Sequence, residues 1–150
     1  MKNNKQKTIA ICSSASFYKQ VLEVEKQLKK LGFKVKIPKI ANVMRRNNNF
    51  DVSYYKTWFK NEKDYTKKTK LMLHHFNKIL KSDAILVLNY DKNGTRGYIG
   101  GNTLLEMLIA FLNKKKIFIL NEISEKLPIE EEIYGLNPIF IKGKLEYINF

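Results

Sequence analysis

Cysteine is nearly absent from this chain: Cys12 stands alone among 150 residues. A disulfide framework within the chain is excluded, and a reducing compartment is the natural setting. Long apolar runs are missing too. None approaches the ~20 residues a membrane-crossing helix needs, so no membrane partner is expected. The opening stretch Met1–Lys7 is polar and lacks the apolar core of a signal peptide; the expected location is cytoplasmic. The two histidines, His74 and His75, are adjacent and point to different helix faces. They lack the i, i+4 spacing of a helical metal pair. Neither a metal site nor a cofactor is expected. GxGxxG spacing, a Walker lysine, internal repeats, linkers and low-complexity segments are also missing.

What is abundant is lysine. The formal charge is +14, from 28 basic and 14 acidic residues. The lysines are scattered among asparagines, as on solvated faces, and no recognition motif accompanies them. Nucleic acid is therefore not the expected partner. The three arginines, Arg45, Arg46 and Arg96, fall in segments that read as loops. Arginine's planar fork suits phosphate better than lysine's point charge does. They are either candidate anion ligands or chance surface residues.

Hydrophobic periodicity alternates between strand and helix. Lys7–Cys12 reads as a buried strand, followed by a serine-rich turn, Ser13–Ser16. Phe17–Leu31 carries Val21, Val24, Leu28 and Leu31 on one helical face, closed by Gly32. Phe33–Ile37 alternates like an edge strand. Lys39–Thr66 is a long irregular connection, helical in part, with aromatics that include Trp58. Lys67–Lys81 reads as a helix with His75 inward, and Asp83–Leu88 as a central strand. Asn89–Gly101 is a glycine-rich turn and Asn102–Asn113 a nearly all-apolar helix. Lys116–Leu120 is a strand, Glu125–Tyr134 a short helix, Ile139–Ile141 a last strand, with Lys144–Ile148 extending the edge. This pattern predicts one α/β domain over 1–150: doubly wound and flavodoxin-like, with a mainly parallel five-stranded sheet. Ligands of such sheets bind at the carboxyl ends of the strands. That rule puts the serine turn and the glycine turn on one edge.

Glu106 is the only charged residue in TLLEMLIAFL, Thr103–Leu112. A carboxylate in an apolar helix is expensive unless something compensates it. Its place in the first turns of the helix favours negative charge. Asn102 fits an N-cap, and Ala110 leaves room one turn later. Glu106 is either a functional carboxylate or a capping, salt-bridged one. Gly100, Gly101, Asn102 and Thr103 offer backbone that a ligand can approach closely. Ser13, Ser14 and Ser16 either hold a phosphate or sugar hydroxyl or simply cap a helix. Cys12 lacks the following arginine of a cysteine phosphatase and reads as core. His75 reads as a satisfied core histidine or an acid. Trp58 is either ordinary core material or an aromatic surface for a ligand.

The segments IAICSS (Ile9–Ser14), SDAILVL (Ser82–Leu88), GGNTLLEMLIAF (Gly100–Phe111) and KKIFIL (Lys115–Leu120) together resemble the nucleoside 2-deoxyribosyltransferase superfamily. The resemblance implies that Glu106 is the nucleophile attacking the sugar C1′ and that Gly101–Thr103 holds sugar or phosphate. It implies a nucleoside or nucleotide as small-molecule partner and a homo-oligomer. Members of this superfamily either transfer the deoxyribose or hydrolyse deoxynucleoside monophosphates. Transferases typically carry an aspartate where Gly100 stands, and the nearest acidic residue upstream is Asp91. Asp91 and His75 are the candidate acids for the leaving base. The alternative is a domain of the same fold that binds a nucleotide without turning it over. GGNTLLE is also similar, with one residue missing, to the GG-x-GT-x-x-E motif of lysine-decarboxylase-like phosphoribohydrolases, which cleave the same kind of bond.

Overall fold

A computed structural model describes residues 4–150. The polar N-terminal stretch falls partly outside the described residues. Five parallel strands form one sheet in the order β2-β1-β3-β4-β5: β1 (Thr8–Ser13), β2 (Lys34–Lys36), β3 (Ala84–Leu88), β4 (Lys116–Ile119) and β5 (Ile139–Phe140). This is the flavodoxin-like order. Registers Cys12↔Val87 and Ser13↔Leu88 bring the carboxyl ends of β1 and β3 level with each other.

Alternation along the strands divides the core in two. Ile9, Ile11, Leu86 and Phe118 face the layer that holds helix α1 (Tyr18–Lys30) and the C-terminal residues Leu145 and Ile148. Ala10, Cys12, Ile85, Val87 and Ile119 face the other layer. There Ile79 of α4 (Tyr65–Leu80), Met107 and Ala110 of α5 (Gly101–Leu112) and Ile133 of α6 (Glu130–Gly135) cover the sheet. Central strands are thus buried on both faces, which is why they read as unbroken apolar runs. No helix among the described residues is long and apolar enough to cross a membrane.

Several local expectations are corrected. Most of the connection after β2 is helical: α2 (Lys39–Asn47), α3 (Val52–Tyr55) and two 3₁₀ turns, Thr57–Phe59 and Glu62–Asp64. Arg45 and Arg46 therefore lie on the last turn of a helix, not in a loop. Ala41 and Met44 supply the short apolar stripe that anchors α2, and Asn48, left-handed at φ 49°, ends it. The helix expected from Glu125 begins only at Glu130, after Pro128. Lys144–Ile148 does not extend the edge. It turns as a 3₁₀ helix, Leu145–Tyr147, and buries Leu145 and Ile148 instead.

Candidate functional site

The strand order changes direction between β1 and β3, where β1 leads to α1 on one face and β3 leads to α5 on the other. A crevice opens at such a point because the two following helices diverge. Here it is roofed by the segment after β2, and about 60 Å³ inside it is open to the centre of a water molecule. Tyr18, Met44, Tyr55, Trp58, Met72, His75, Asn102 and Glu106 line it, together with Lys39, Lys56 and Lys68.

Glu106 forms its inner wall and is 4% exposed. α5 starts at Gly101, and the extended backbone of Gly100 before it is the cap, so Asn102 is not the N-cap. Asn102 lies inside the first turn, and its Nδ2 donates to Glu106 Oε1 at 2.9 Å, one turn later. Among the described residues Oε2 has no hydrogen-bond partner. Burial pushes the Glu106 carboxyl up to about 8, against the opposing pull of the Cys12 thiol, the Lys68 ammonium and the Asn102 amide. Burial also raises the Cys12 thiol and the Tyr18 hydroxyl, with Glu106 adding to both. Both neighbours therefore keep their protons. Lys68 Nζ donates to Asn102 Oδ1 at 3.1 Å, so a single amide links an ammonium to the carboxylate.

His75 approaches from α4. Its Nε2 lies 3.0 Å from the Ile11 carbonyl and 3.6 Å from Cys12 Sγ, while Nδ1 has no partner among the described residues. Burial, with Lys78 adding, lowers it to about 4, so the ring is neutral at pH 7. Cys12, His75 and Glu106 offer ligand atoms within 4.8 Å of one another. Histidine spacing alone did not reveal this group, because its members come from three separate elements. A carbonyl 3.0 Å away requires a proton on Nε2, so that nitrogen is a donor and not a free lone pair.

The remaining sequence candidates separate. Trp58 is 6% exposed and lines the cavity. Ser14 caps the 3₁₀ turn Ala15–Phe17 and accepts from Ser16 N and from Lys92 Nζ at 3.1 Å. Ser13 is buried at the strand end and its hydroxyl donates to Ser14 O. Ser16 is exposed. Thr103 is buried, and Gly101 has open space where a Cβ would be. Asp91 is not brought to Glu106. Its carboxylate accepts from Gly97 N at 2.9 Å and, with Arg96, borders a different depression. Arg45 donates to Glu25 at 2.8 Å and also to Asn42, and Arg46 is exposed beside it. None of the three arginines lines the cavity that holds Glu106. Sequence reasoning missed Tyr18, Lys56 and Lys68. The one signal for Tyr18 was its place just beyond the carboxyl end of β1. Lys56 and Lys68 looked like every other lysine.

No protein-family model matches the chain, and no curated protein sequence matches it. Among solved structures, the chain is similar to a 2-deoxyribosyltransferase from the psychrotolerant bacterium Bacillus psychrosaccharolyticus. The match covers 95% of this chain and 93% of that one, with a TM-score of 0.56 and 17% identity. It also matches the flavoenzyme NAD(P)H:acceptor oxidoreductase of Paracoccus denitrificans over 96% of this chain and 80% of that one, with a TM-score of 0.45 and 14% identity. At these identities the first likeness shows a shared fold.

Proposed function

We propose that this domain breaks the N-glycosidic bond of a nucleoside or its 5′-monophosphate, with Glu106 as the attacking carboxylate. One observation carries the reading. A buried carboxylate faces a cavity at the strand ends, one oxygen held by Asn102 and the other without a protein partner. In this proposal Oε2, the oxygen without a hydrogen bond, is the atom that attacks C1′. The likeness in fold to a 2-deoxyribosyltransferase and the motif GGNTLLE support the same bond.

In this mechanism Oε2 bonds to C1′ as the C1′–N electrons pass to the base, which leaves with a proton. The resulting glycosyl ester is released when water or a second base attacks C1′ and returns the carboxylate. Of the two acids expected from the sequence, Asp91 lies outside the cavity, and His75 lines it but is neutral at pH 7 with its N–H on the Ile11 carbonyl, so the departing base takes its proton from water. Trp58 and Tyr55 offer flat surfaces for the base. Self-association belongs to the same reading: Leu105, Leu108 and Leu112 of α5 are 44%, 40% and 65% exposed along one side of the helix.

The test is base release from a panel of nucleosides, deoxynucleosides and their 5′-monophosphates, with and without a free acceptor base, beside Glu106→Ala. Release that disappears in the variant upholds the proposal, and dependence on the acceptor separates transfer from hydrolysis. A second reading, nucleotide binding without turnover, is favoured by the high Glu106 pKa, which leaves the carboxyl largely protonated at pH 7. Binding with no release from any substrate would establish it.

A further inference from the structure

The formal charge of +14 is not spread evenly along the chain. Residues 26–50 hold eight basic side chains and no acidic one, and residues 65–82 hold five lysines and no acidic one. Residues 122–132 have the opposite balance, five glutamates and one lysine. The fold sets the first two segments side by side, because α2 packs against α4 next to the edge strand β2. Lys78 of α4 donates to the Ile37 carbonyl, just beyond β2, at 2.6 Å. An open surface groove lies between the two helices, lined by Lys39, Asn42, Arg45 and Arg46 of α2 and by His74 and Lys78 of α4. Among the described residues the lining has no carboxylate and no apolar side chain. Arg45 is paired with Glu25, which is itself buried and also held by Lys29. Lys39, Arg46 and Lys78 make no ion pair among the described residues, although other cations do. These charges act on one another: burial and then Lys78 and Lys39 lower His74, while burial and then Lys36 and Lys39 lower Lys78. Like charges gathered on one surface repel, and an anion laid over them relieves the repulsion.

We propose that the groove between α2 and α4 receives the phosphodiester backbone of a nucleic-acid strand. The surface goes beyond the chemistry at Glu106 and does not depend on it; of the six lining residues, Lys39 alone also borders that cavity. Lys39 and Arg46 stand seven residues apart on one helix, about 10 Å along its axis. An anion that repeats along a chain meets both, whereas a single ion meets one. Two of the three arginines of the chain stand here, and the planar fork of a guanidinium matches phosphate oxygens. Asn42 and His74 add polar groups of the kind that position a backbone through its phosphate and sugar oxygens. A membrane-surface helix sets apolar side chains beside its basic ones, and a protein interface has an apolar centre. The lining offers neither. Read singly, these lysines look like solvated faces; they become one surface only because α2 and α4 adjoin.

The experiment follows the fluorescence anisotropy of labelled strands of about 20 nucleotides on the full chain, as single-stranded RNA, single-stranded DNA and duplex DNA. Binding to any of them upholds the shared chemistry, and the tightest identifies its source. Micromolar affinity is expected at about 50 mM salt, falling about ten- to a hundredfold by about 200 mM, as release of counterions from roughly three phosphates requires. Arg46→Glu should weaken binding about tenfold and flatten the salt dependence by about one phosphate contact or more, and Arg46→Lys should retain most of the affinity. Arg46 is exposed, so neither change disturbs the fold. Lys126→Glu makes the same kind of charge reversal in the acidic segment between β4 and α6 and should have little effect. Equal losses in Arg46→Glu and Lys126→Glu would overturn the groove, since net charge would then account for the binding. Absence of binding to every strand, or binding that salt does not weaken, would overturn it as well. Tighter binding to phosphatidylglycerol vesicles or to a polyglutamate peptide than to any strand would replace it with a lipid surface or an acidic protein. No catalysis enters the measurement, so its outcome is independent of base release at Glu106.

Discussion

Asn102 and Glu106 stand one helical turn apart, and the amide of the first holds one oxygen of the second at 2.9 Å. The bond orients the carboxylate and stabilises its charged form. A hydrogen bond to a charged group contributes roughly 1.5–3 kcal/mol. Asn102→Ala is therefore expected to lower kcat for base release about ten- to a hundredfold. It should also move the acidic limb of the pH profile to higher pH, because the amide favours the anion. A loss of rate with an unmoved limb would give Asn102 no electrostatic part.

Burial raises Glu106 to about 8, and two pH dependences follow. As a nucleophile it must be ionised, so kcat/KM should climb with pH, reach half its maximum near pH 8 and level off above it. A profile that instead falls above 8 would make Glu106 the acid. In stability the sign is reversed. The folded state holds this proton above the usual carboxylate range and the unfolded chain does not, so its contribution is complete below about 4.5 and is lost as pH rises through about 8. Glu106→Gln should therefore melt above the wild type by about 5 °C or more at pH 8.5, and by much less at pH 5. Thermal unfolding at the two pH values measures both.

Glu25 of α1 is buried, with Lys29 and Arg45 each 2.8 Å from one of its oxygens. Burial alone would raise its carboxyl, but the two hydrogen bonds and charges outweigh that and hold it below the usual range. Arg45 spans from α2 to α1 and ties the cavity roof to that helix. Arg45→Ala leaves Glu25 with Lys29 alone and should cost about 1–2 kcal/mol, since both cations are half-exposed and screened. The loss should be largest at neutral pH and shrink as Glu25 becomes protonated in acid. Denaturant unfolding at pH 7 and pH 3 tests it.

Gly97 sits at φ +63°, and a Cβ there would lie 2.1 Å from the Glu122 carbonyl oxygen. Its N–H also anchors Asp91. Backbone cannot swing aside as a side chain can, so Gly97→Ala should destabilise the fold by about 2 kcal/mol or more. Gly101→Ala, with open space around it, is the matched control and should cost little. Melting temperatures of the pair check the contrast.

The apolar side of α5 predicts self-association. Leu108→Glu places a charge between Leu105 and Leu112 and should shift the sedimentation coefficient from an oligomer toward a monomer. A wild type that sediments as a monomer at all concentrations would remove this part of the proposal.

The chain's own pattern determined the sheet, its parallel sense and the helices that cover it. Strands such as Ala84–Leu88 and Lys116–Ile119 are buried on both faces, so their runs of branched and aromatic residues carry the signal locally. Glu106 was legible for a related reason, as the one charge in an apolar helix. The helix α2 was not, because two buried residues among lysine, arginine and asparagine make too short a stripe to detect. Tertiary structure alone decided which polar residues meet. Arg45 and Lys56 look equally solvent-facing in the sequence; folding pairs the first with Glu25 and turns the second into the cavity. Asp91, nine residues before Gly100 and apparently well placed, is taken up by Gly97. Cys12, His75 and Glu106 converge from a strand and two helices far apart in the chain. Periodicity reports how much of each residue is buried, a local property. Which side chains face one another depends on strand order and helix placement, and that information does not reside in any single segment.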